Sequence, residues 1–268
     1  GESIAVIATT FASSGLAAPW VDADIGTAAL AGSGNYSTTA YTGGAFALSG
    51  SGADIGASSD GFNFTYITMN GDGTIIARVE ALQNTGAGAK AGVMIREGLS
   101  ADAREAALVM TPAGGLSFIT RQTTGASANS SAAGAAQTPY YGKLVRGGNT
   151  FTAYSSPDGK IWTTVGSSVI AMGARTYVGL AVCANDGGSQ LASAAFSAVS
   201  STALPPPSYA LAAPSAFSAK GINFTEIKLK WIDTVTNETG FSIERSTDGV
   251  NFSQIAILPA NSTTYTDS

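Results

Sequence analysis

Histidine is absent from this 268-residue chain, and cysteine occurs once. The first absence removes the commonest metal ligand and every Ser-His or Cys-His catalytic pair. The second excludes an intrachain disulfide. Cys183 sits in an apolar stretch, residues 178–184, and reads as a small buried hydrophobe. Charged residues are scarce at 12%, and the net charge of −5 comes without clustered Lys or Arg, so nucleic acid is not an expected partner. No apolar run approaches the ~18 residues of a membrane-spanning helix, so no membrane insertion is expected. The chain opens at Gly1 without a signal-peptide pattern, as expected of a processed or excerpted piece. No stretch carries a convincing helical period.

What the chain has in quantity is glycine, with 33 residues, and small side chains arranged in strands of period two. In residues 74–82, Ile75, Ala77, Val79 and Ala81 share one face, and Ile76, Arg78 and Glu80 the other. In the next segment Ala91, Val93 and Ile95 oppose Lys90, Gly92, Met94 and Arg96. Residues 62–67 alternate in the same way. Further strands are expected at 105–111, 115–122, 141–146, 149–155, 160–165, 176–184 and 190–199, separated by Gly-, Asn-, Asp- and Pro-rich turns. Many short strands at this spacing predict an all-β sandwich or barrel. The turn Ser156-Pro157-Asp158-Gly159 and its parallel Ser246-Thr247-Asp248-Gly249 are each followed by an aromatic three residues after the glycine, Trp162 and Phe252. Such a ring packs on the sheet beside a tight hairpin, and stacking on a sugar is its functional alternative.

The clearest boundary is Leu204-Pro205-Pro206-Pro207-Ser208, an extended spacer. Four parts are expected: an end strand and joint at 1–15, a large β domain at 16–202, a Pro-rich linker at 203–213, and a smaller β unit at 214–268.

The smaller unit resembles fibronectin type III domains. The likeness is carried by Ala213-Pro214-Ser215, by Ile227-Lys228-Leu229-Lys230-Trp231 with Trp231 as core tryptophan, by Gly240-Phe241-Ser242-Ile243-Glu244-Arg245-Ser246, and by Thr263-Thr264-Tyr265-Thr266-Asp267. It covers about two-thirds of such a domain; the penultimate and last strands are missing. Residues 1–10 resemble that last strand. The resemblance implies an incomplete immunoglobulin-like sandwich, exposed at its edges, for which a strand of a neighbouring domain or copy is the natural complement.

Residues 16–202 resemble the concanavalin A-like, laminin-G-like jelly-roll modules of bacterial secreted proteins. The carrying phrases are Pro19-Trp20-Val21-Asp22-Ala23-Asp24-Ile25-Gly26, Ser49-Gly50-Ser51-Gly52-Ala53-Asp54-Ile55, Gly71-Asp72-Gly73-Thr74-Ile75, Ala89-Lys90-Ala91-Gly92-Val93-Met94-Ile95-Arg96-Glu97 and Tyr177-Val178-Gly179-Leu180-Ala181-Val182. The likeness implies a jelly-roll β-sandwich and an extracellular or cell-surface setting. Where the pattern usually has a tryptophan after the Asp-Ile pair, this chain has Gly56, and where it often has an aromatic before Ala-Lys-Ala-Gly, it has Gly88. Where it often ends Phe-Asp, the chain has Phe196-Ser197, which removes one carboxylate suited to calcium.

Arg78, Glu80, Lys90, Arg96, Arg121 and Lys143 are expected on one exposed, concave sheet face, where Arg and Glu would bond sugar hydroxyls or carboxylates. A solvated face with cross-strand charge pairs is the plainer alternative. Tyr140-Tyr141 straddles a strand, and Tyr141 joins the candidate ligand-binding residues as the exposed ring, while Trp20 is expected under the sandwich edge. No catalytic residue is assigned: of the two carboxyls near that face, Glu80 and Glu97, Glu80 lies among Arg78, Arg96 and Lys90, which would keep it ionised, and nothing suggests a trapped proton. Asp22, Asp24, Asp54, Asp60 and Asp72 cap turns, with calcium binding as alternative; no cofactor is otherwise expected. The expectation is a non-enzymatic structural or adhesive repeat of a larger secreted protein, assembling with neighbouring domains or copies by strand addition. A carbohydrate-binding module with a glycan partner is the alternative.

Overall fold

The computed structural model describes residues 3–7, 15–16, 18–41, 43–203, 214–223, 225–234, 240–247, 253–259 and 261–267. These residues contain strands and turns and no helix. The chain divides into two units, Ser14–Pro206 and a discontinuous one built from Gly1–Ser13 with Pro207–Ser268.

The larger unit is a sandwich of two seven-stranded antiparallel sheets. The first runs, in spatial order, β10 (Asn129–Ala135), β9 (Gly115–Arg121), β8 (Glu105–Met110), β7 (Lys90–Arg96), β14 (Arg175–Cys183), β5 (Phe62–Asn70), β2 (Val21–Ile25). The second runs β13 (Thr163–Val169), β12 (Thr150–Ser156), β11 (Tyr140–Gly147), β6 (Gly73–Leu82), β15 (Ala192–Ser201), β4 (Ala45–Gly50), β3 (Ser33–Ser37). The main core lies between them. Ile75, Ala77 and Val79 of β6 face Ala91, Val93 and Ile95 of β7, with Leu144, Phe151 and Phe196 filling the second sheet's inner side. The period-two reading therefore selects the right inward faces for 75–79 and 91–95, but not for Ala81, which is exposed while Leu82 packs on the core, because the register with β15 shifts between Val79 and Ala81. Trp20 is buried against Phe46, their ring centroids 4.8 Å apart.

The outer side of the first sheet is also covered. Ile25, Phe62, Phe64, Met94, Val109, Ile119 and Cys183 form a second apolar cluster, closed by Ile55. The covering segment is pinned by Gly61 N–H to Asp54 O (2.7 Å), Asp60 N–H to Ala101 O (2.9 Å) and Ala128 N–H to Ala57 O (2.6 Å). A sheet buried on both faces reads as a continuous apolar run rather than alternation, which is why β8 is buried at every position. β13 begins three residues later than expected, because the Asp158 carboxylate accepts the N–H groups of Lys160 (2.8 Å) and Ile161 (3.0 Å) and holds them in the turn.

The smaller unit has two three-stranded sheets. One is β16 (Ser215–Gly221), β17 (Ile227–Ile232), β20 (Thr264–Asp267), and the other is β1 (Ser3–Ile7), β18 (Gly240–Ser246), β19 (Ser253–Pro259). Leu229, Trp231, Phe241 and Ile243 form its core, and the Trp231 and Phe241 rings lie 5.5 Å apart. The opening strand, expected to belong to a neighbouring domain or copy, pairs antiparallel with β18 of its own chain, from Ser3↔Ser246 to Ile7↔Ser242. In an immunoglobulin-type sandwich the last strand stands one place beyond the neighbour of the third, so β1 lies one place further in than a last strand would. The expected Pro-rich linker, apart from Ala203, the joint at 8–14 and the second Asp-Gly hairpin at 248–252 fall outside the described residues.

Candidate functional site

The expected ligand-binding residues do not share a face. β6 and β7 are consecutive in sequence but belong to opposite sheets. The polar stripes of the two strands therefore point to opposite sides of the sandwich. Arg78, Glu80 and Tyr141 lie on the outer face of the second sheet, Lys90, Arg96 and Arg121 on the outer side of the first.

On the first sheet, Arg96 and Arg121 are fully buried and cannot meet a ligand. Cross-strand register places Tyr177, Arg96, Glu105 and Arg121 in one row over β14, β7, β8 and β9. Asp60 drops into this row from the covering segment. Arg121 grips it with both terminal nitrogens, Nη2 to Oδ1 at 2.6 Å and Nη1 to Oδ2 at 2.9 Å, and donates to the carbonyls of Ala103 (2.9 Å) and Gly56 (3.1 Å). Arg96 reaches Asp60 Oδ2 at 3.3 Å and ties down the 97–104 loop through Gly98 O and Ser100 O, each at 2.6 Å. Glu105 is held less well. Its Oε1 is 3.3 Å from Arg121 Nη1, an ion-pair distance, yet accepts no hydrogen bond. Burial, then the charge of Asp60, raises its carboxyl to about 8 against the pull of the two guanidiniums. Two converging acids with one raised pKa are what glycoside hydrolysis uses. Here all four ionisable side chains are sealed at 0% exposure and the remaining guanidinium N–H groups go to loop carbonyls, so the cluster is a clamp on the cover. Lys90 stands at the sheet end, paired with Asp54 and bonded to Gly88 O.

On the second sheet the outward residues make a platform. Register sets Ser197, Arg78, Tyr141 and Ser156 side by side across β15, β6, β11 and β12, with Ile76, Lys143, Tyr154 and Thr164 in the next row. The Arg78 guanidinium lies 5.6 Å from the Tyr141 ring centre and binds Glu80 through Nη1 at 2.6 Å. Glu80 also accepts the Ser197 hydroxyl. Tyr141 meets Trp162 edge to face, centroids 6.3 Å apart. The Lys143 ammonium lies 4.1 Å from the Trp162 ring centre and 4.5 Å from that of Tyr154, and partial burial lowers its pKa. Trp162 is carried there by the β12–β13 hairpin. Gly159 at its tip has φ +72°, and a Cβ there would stand 3.0 Å from Tyr141 Cζ. The turn thus seats directly on the tyrosine ring.

The structure brings Arg78, Glu80, Lys143 and Tyr141 of the expected set together on this face, with Tyr141 half-buried and Trp162 beside its turn. Sequence reasoning missed Tyr154, whose signal is its place opposite Lys143 in the β11–β12 hairpin. The acidic turn residues are engaged. Asp22 accepts from Thr65 Oγ1 (2.8 Å) and Asn63 Nδ2 (3.2 Å), Asp24 accepts from Gly32 N–H (3.0 Å), and Asp72 from Gly148 N–H (2.6 Å). Among the described residues no three acidic, His or Cys side chains gather as a metal site would require. An apolar void lined by Ala77, Val93, Leu108 and Gly142 has room for about one water and no sugar.

No family model matches the chain, and no curated protein matches it. Solved structures do. A functionally unknown protein from Saccharomyces cerevisiae aligns at 16% identity over 64% of this chain and 97% of its own, with a TM-score of 0.50. The carbohydrate-binding module CBM66 from Bacillus subtilis aligns at 16% identity over 69% and 96%, with a TM-score of 0.41. A prokaryotic β-1,3-1,4-glucanase (lichenase) derived from a mouse hindgut metagenome aligns at 11% identity over 66% and 89%, with a TM-score of 0.41. The larger unit is an all-β sandwich of two antiparallel sheets.

Proposed function

We propose that this chain is a non-catalytic, glycan-binding segment of a modular extracellular protein, and that it holds polysaccharide on the outer face of the second sheet. The observation that carries the reading is the Tyr141–Trp162 pair flanked by Arg78 and Lys143. The half-buried Trp162 ring, propped edge to face by Tyr141 beneath the Gly159 turn, is the apolar surface for sugar C–H groups, and the polar groups beside it bond hydroxyls, the usual division of labour in ligand sites. Lack of imidazole and the sealing of Asp60 and Glu105 support a non-catalytic role; the extracellular setting rests on the sequence resemblance. No metal takes part in this reading.

Affinity electrophoresis of the full chain through gels cast with neutral and acidic polysaccharides tests it. Retardation by at least one polymer, unchanged by EDTA and reduced about tenfold or more in Trp162→Ala and Tyr141→Ala, is expected. Absence of retardation throughout, or retardation indifferent to both substitutions, overturns it.

The pairing of β1 with β18 favours a second reading, a structural repeat whose copies exchange strands. A strand donated across the length of one chain can be donated by the next copy to the same place, which gives open-ended assembly. A cysteine pair at the register partners Ala5 and Glu244 reports it. Disulfide-linked oligomers that grow with protein concentration support exchange; closure within single chains at every concentration refutes it.

A further inference from the structure

We infer that the glycan held on the Tyr141–Trp162 face is acidic: a polysaccharide carrying hexuronate carboxylates, with Lys143 and Arg78 as the groups that select it. The inference rests on the glycan-binding reading above and names the ligand class for the same face.

Three observations carry it. The Lys143 ammonium lies against the Trp162 and Tyr154 rings and has no carboxylate partner among the described residues. The charges of the neighbouring pair are unequally presented, since Glu80 is 5% exposed and Arg78 30%. The carboxylate is turned in, toward Ser197, and the guanidinium out. Arg78 spends only Nη1 on Glu80, so Nη2 and Nε have no partner among the described residues and keep the fork that binds a carboxylate bidentately. A locally positive, ring-lined surface therefore stands on a chain of net charge −5. A neutral sugar would leave the partly buried Lys143 with only ring faces to balance it, whereas a uronate carboxylate beside Trp162 supplies a counter-charge at short range.

The test is isothermal titration of the full chain with oligogalacturonate, with the same oligomer after reduction of its carboxyls to alcohols, and with a sulfated glucan of similar length. Oligogalacturonate is expected to bind at least tenfold more tightly than the reduced oligomer, and in Lys143→Met, which keeps the aliphatic stem, the ratio of the two affinities is expected to fall to about one. Equal affinity for the two oligomers, with binding still lost in Trp162→Ala, overturns the acidic preference and leaves the glycan-binding reading standing. Tighter binding of the sulfated glucan, or a preference that survives Lys143→Met, also overturns it. Absence of binding to all three and to the gel panel overturns both.

Discussion

Glu105 lies between two guanidiniums, its Oε2 3.4 Å from Arg96 Nη1 and its Oε1 3.3 Å from Arg121 Nη1, with no route to water. Desolvation nevertheless outweighs the two cations, because neither contact is short and Asp60 already takes the best donors of Arg121. In the folded chain the Glu105 carboxyl titrates near 8, against an ordinary value near 4.5. Folding thus takes up a proton between those values. This contribution to stability is fully present below about pH 4.5 and is lost as pH rises through about 8. Urea denaturation from pH 5 to 9 is expected to show the larger unit weakening with pH. Glu105→Gln, which mimics the protonated acid, should flatten that slope and cost little at pH 6. A variant that is severely destabilised at pH 6 would mean that the carboxylate is charged in the fold.

Removing one cation has a different consequence. Arg121→Met leaves Asp60 buried beside loop carbonyls with only Arg96, at 3.3 Å, to balance it. Breaking a buried pair from one side costs about 3–5 kcal/mol. Thermal denaturation should show a loss of that order, against less than 1 kcal/mol for Arg104→Met, whose ion pair with Glu97 is partly exposed.

Cys183 sits beneath the same cover. Its thiol points at Gly61 O (3.3 Å) and Gly52 O (3.5 Å), and burial pushes its pKa up to about 12. A thiol of this kind is inert while the fold is closed. Native protein at pH 8 should react with a thiol reagent only at the rate at which the cover opens, and Arg121→Met should accelerate labelling. Immediate stoichiometric labelling of the native chain would contradict the burial.

The cover leaves no room for a side chain at Gly52. Gly52 has φ +118°, and a Cβ there would stand 1.9 Å from Gly61 O. Both the backbone conformation and the space exclude a side chain, so Gly52→Ala should destabilise by about 3 kcal/mol or more in the same denaturation assay. Gly71→Ala is the control for the conformation alone, since its φ is +75° and nothing stands within 4 Å of the added methyl. An equal cost at both positions would dismiss the steric argument.

How much of this was legible in the sequence follows from the range of each interaction. Inward faces such as Ile75, Ala77 and Val79 were legible because period two is a local property. The small strands β2, β3, β4 and β10 were not, and β10, Asn-Ser-Ser-Ala-Ala-Gly-Ala, shows why: it has neither β-branched residues nor aromatics and is held by pairing with β9. The polar stripe was legible strand by strand, but whether Arg78 and Arg96 share a side depends on the chain crossing between sheets at 83–89, which no local pattern encodes. The clamp draws Asp60, Arg96, Glu105 and Arg121 from four segments. Its one local trace is charge at the ends of strands that are otherwise apolar on both faces. The platform was half legible, since Tyr141 and Trp162 each carried a local signal, and their meeting needed the hairpin register.

The most direct test of the glycan-binding account is the accessibility of Trp162. Trp20 and Trp231 are buried, at 5% and 4% exposure, while Trp162 is half-buried on the platform. Acrylamide quenching of tryptophan emission should therefore report mainly on Trp162 and nearly vanish in Trp162→Phe. Added at saturating concentration, the polysaccharide that retards the chain most should protect the wild-type emission from quenching. Quenching unchanged by a polymer that demonstrably binds would place the ligand elsewhere and contradict the account.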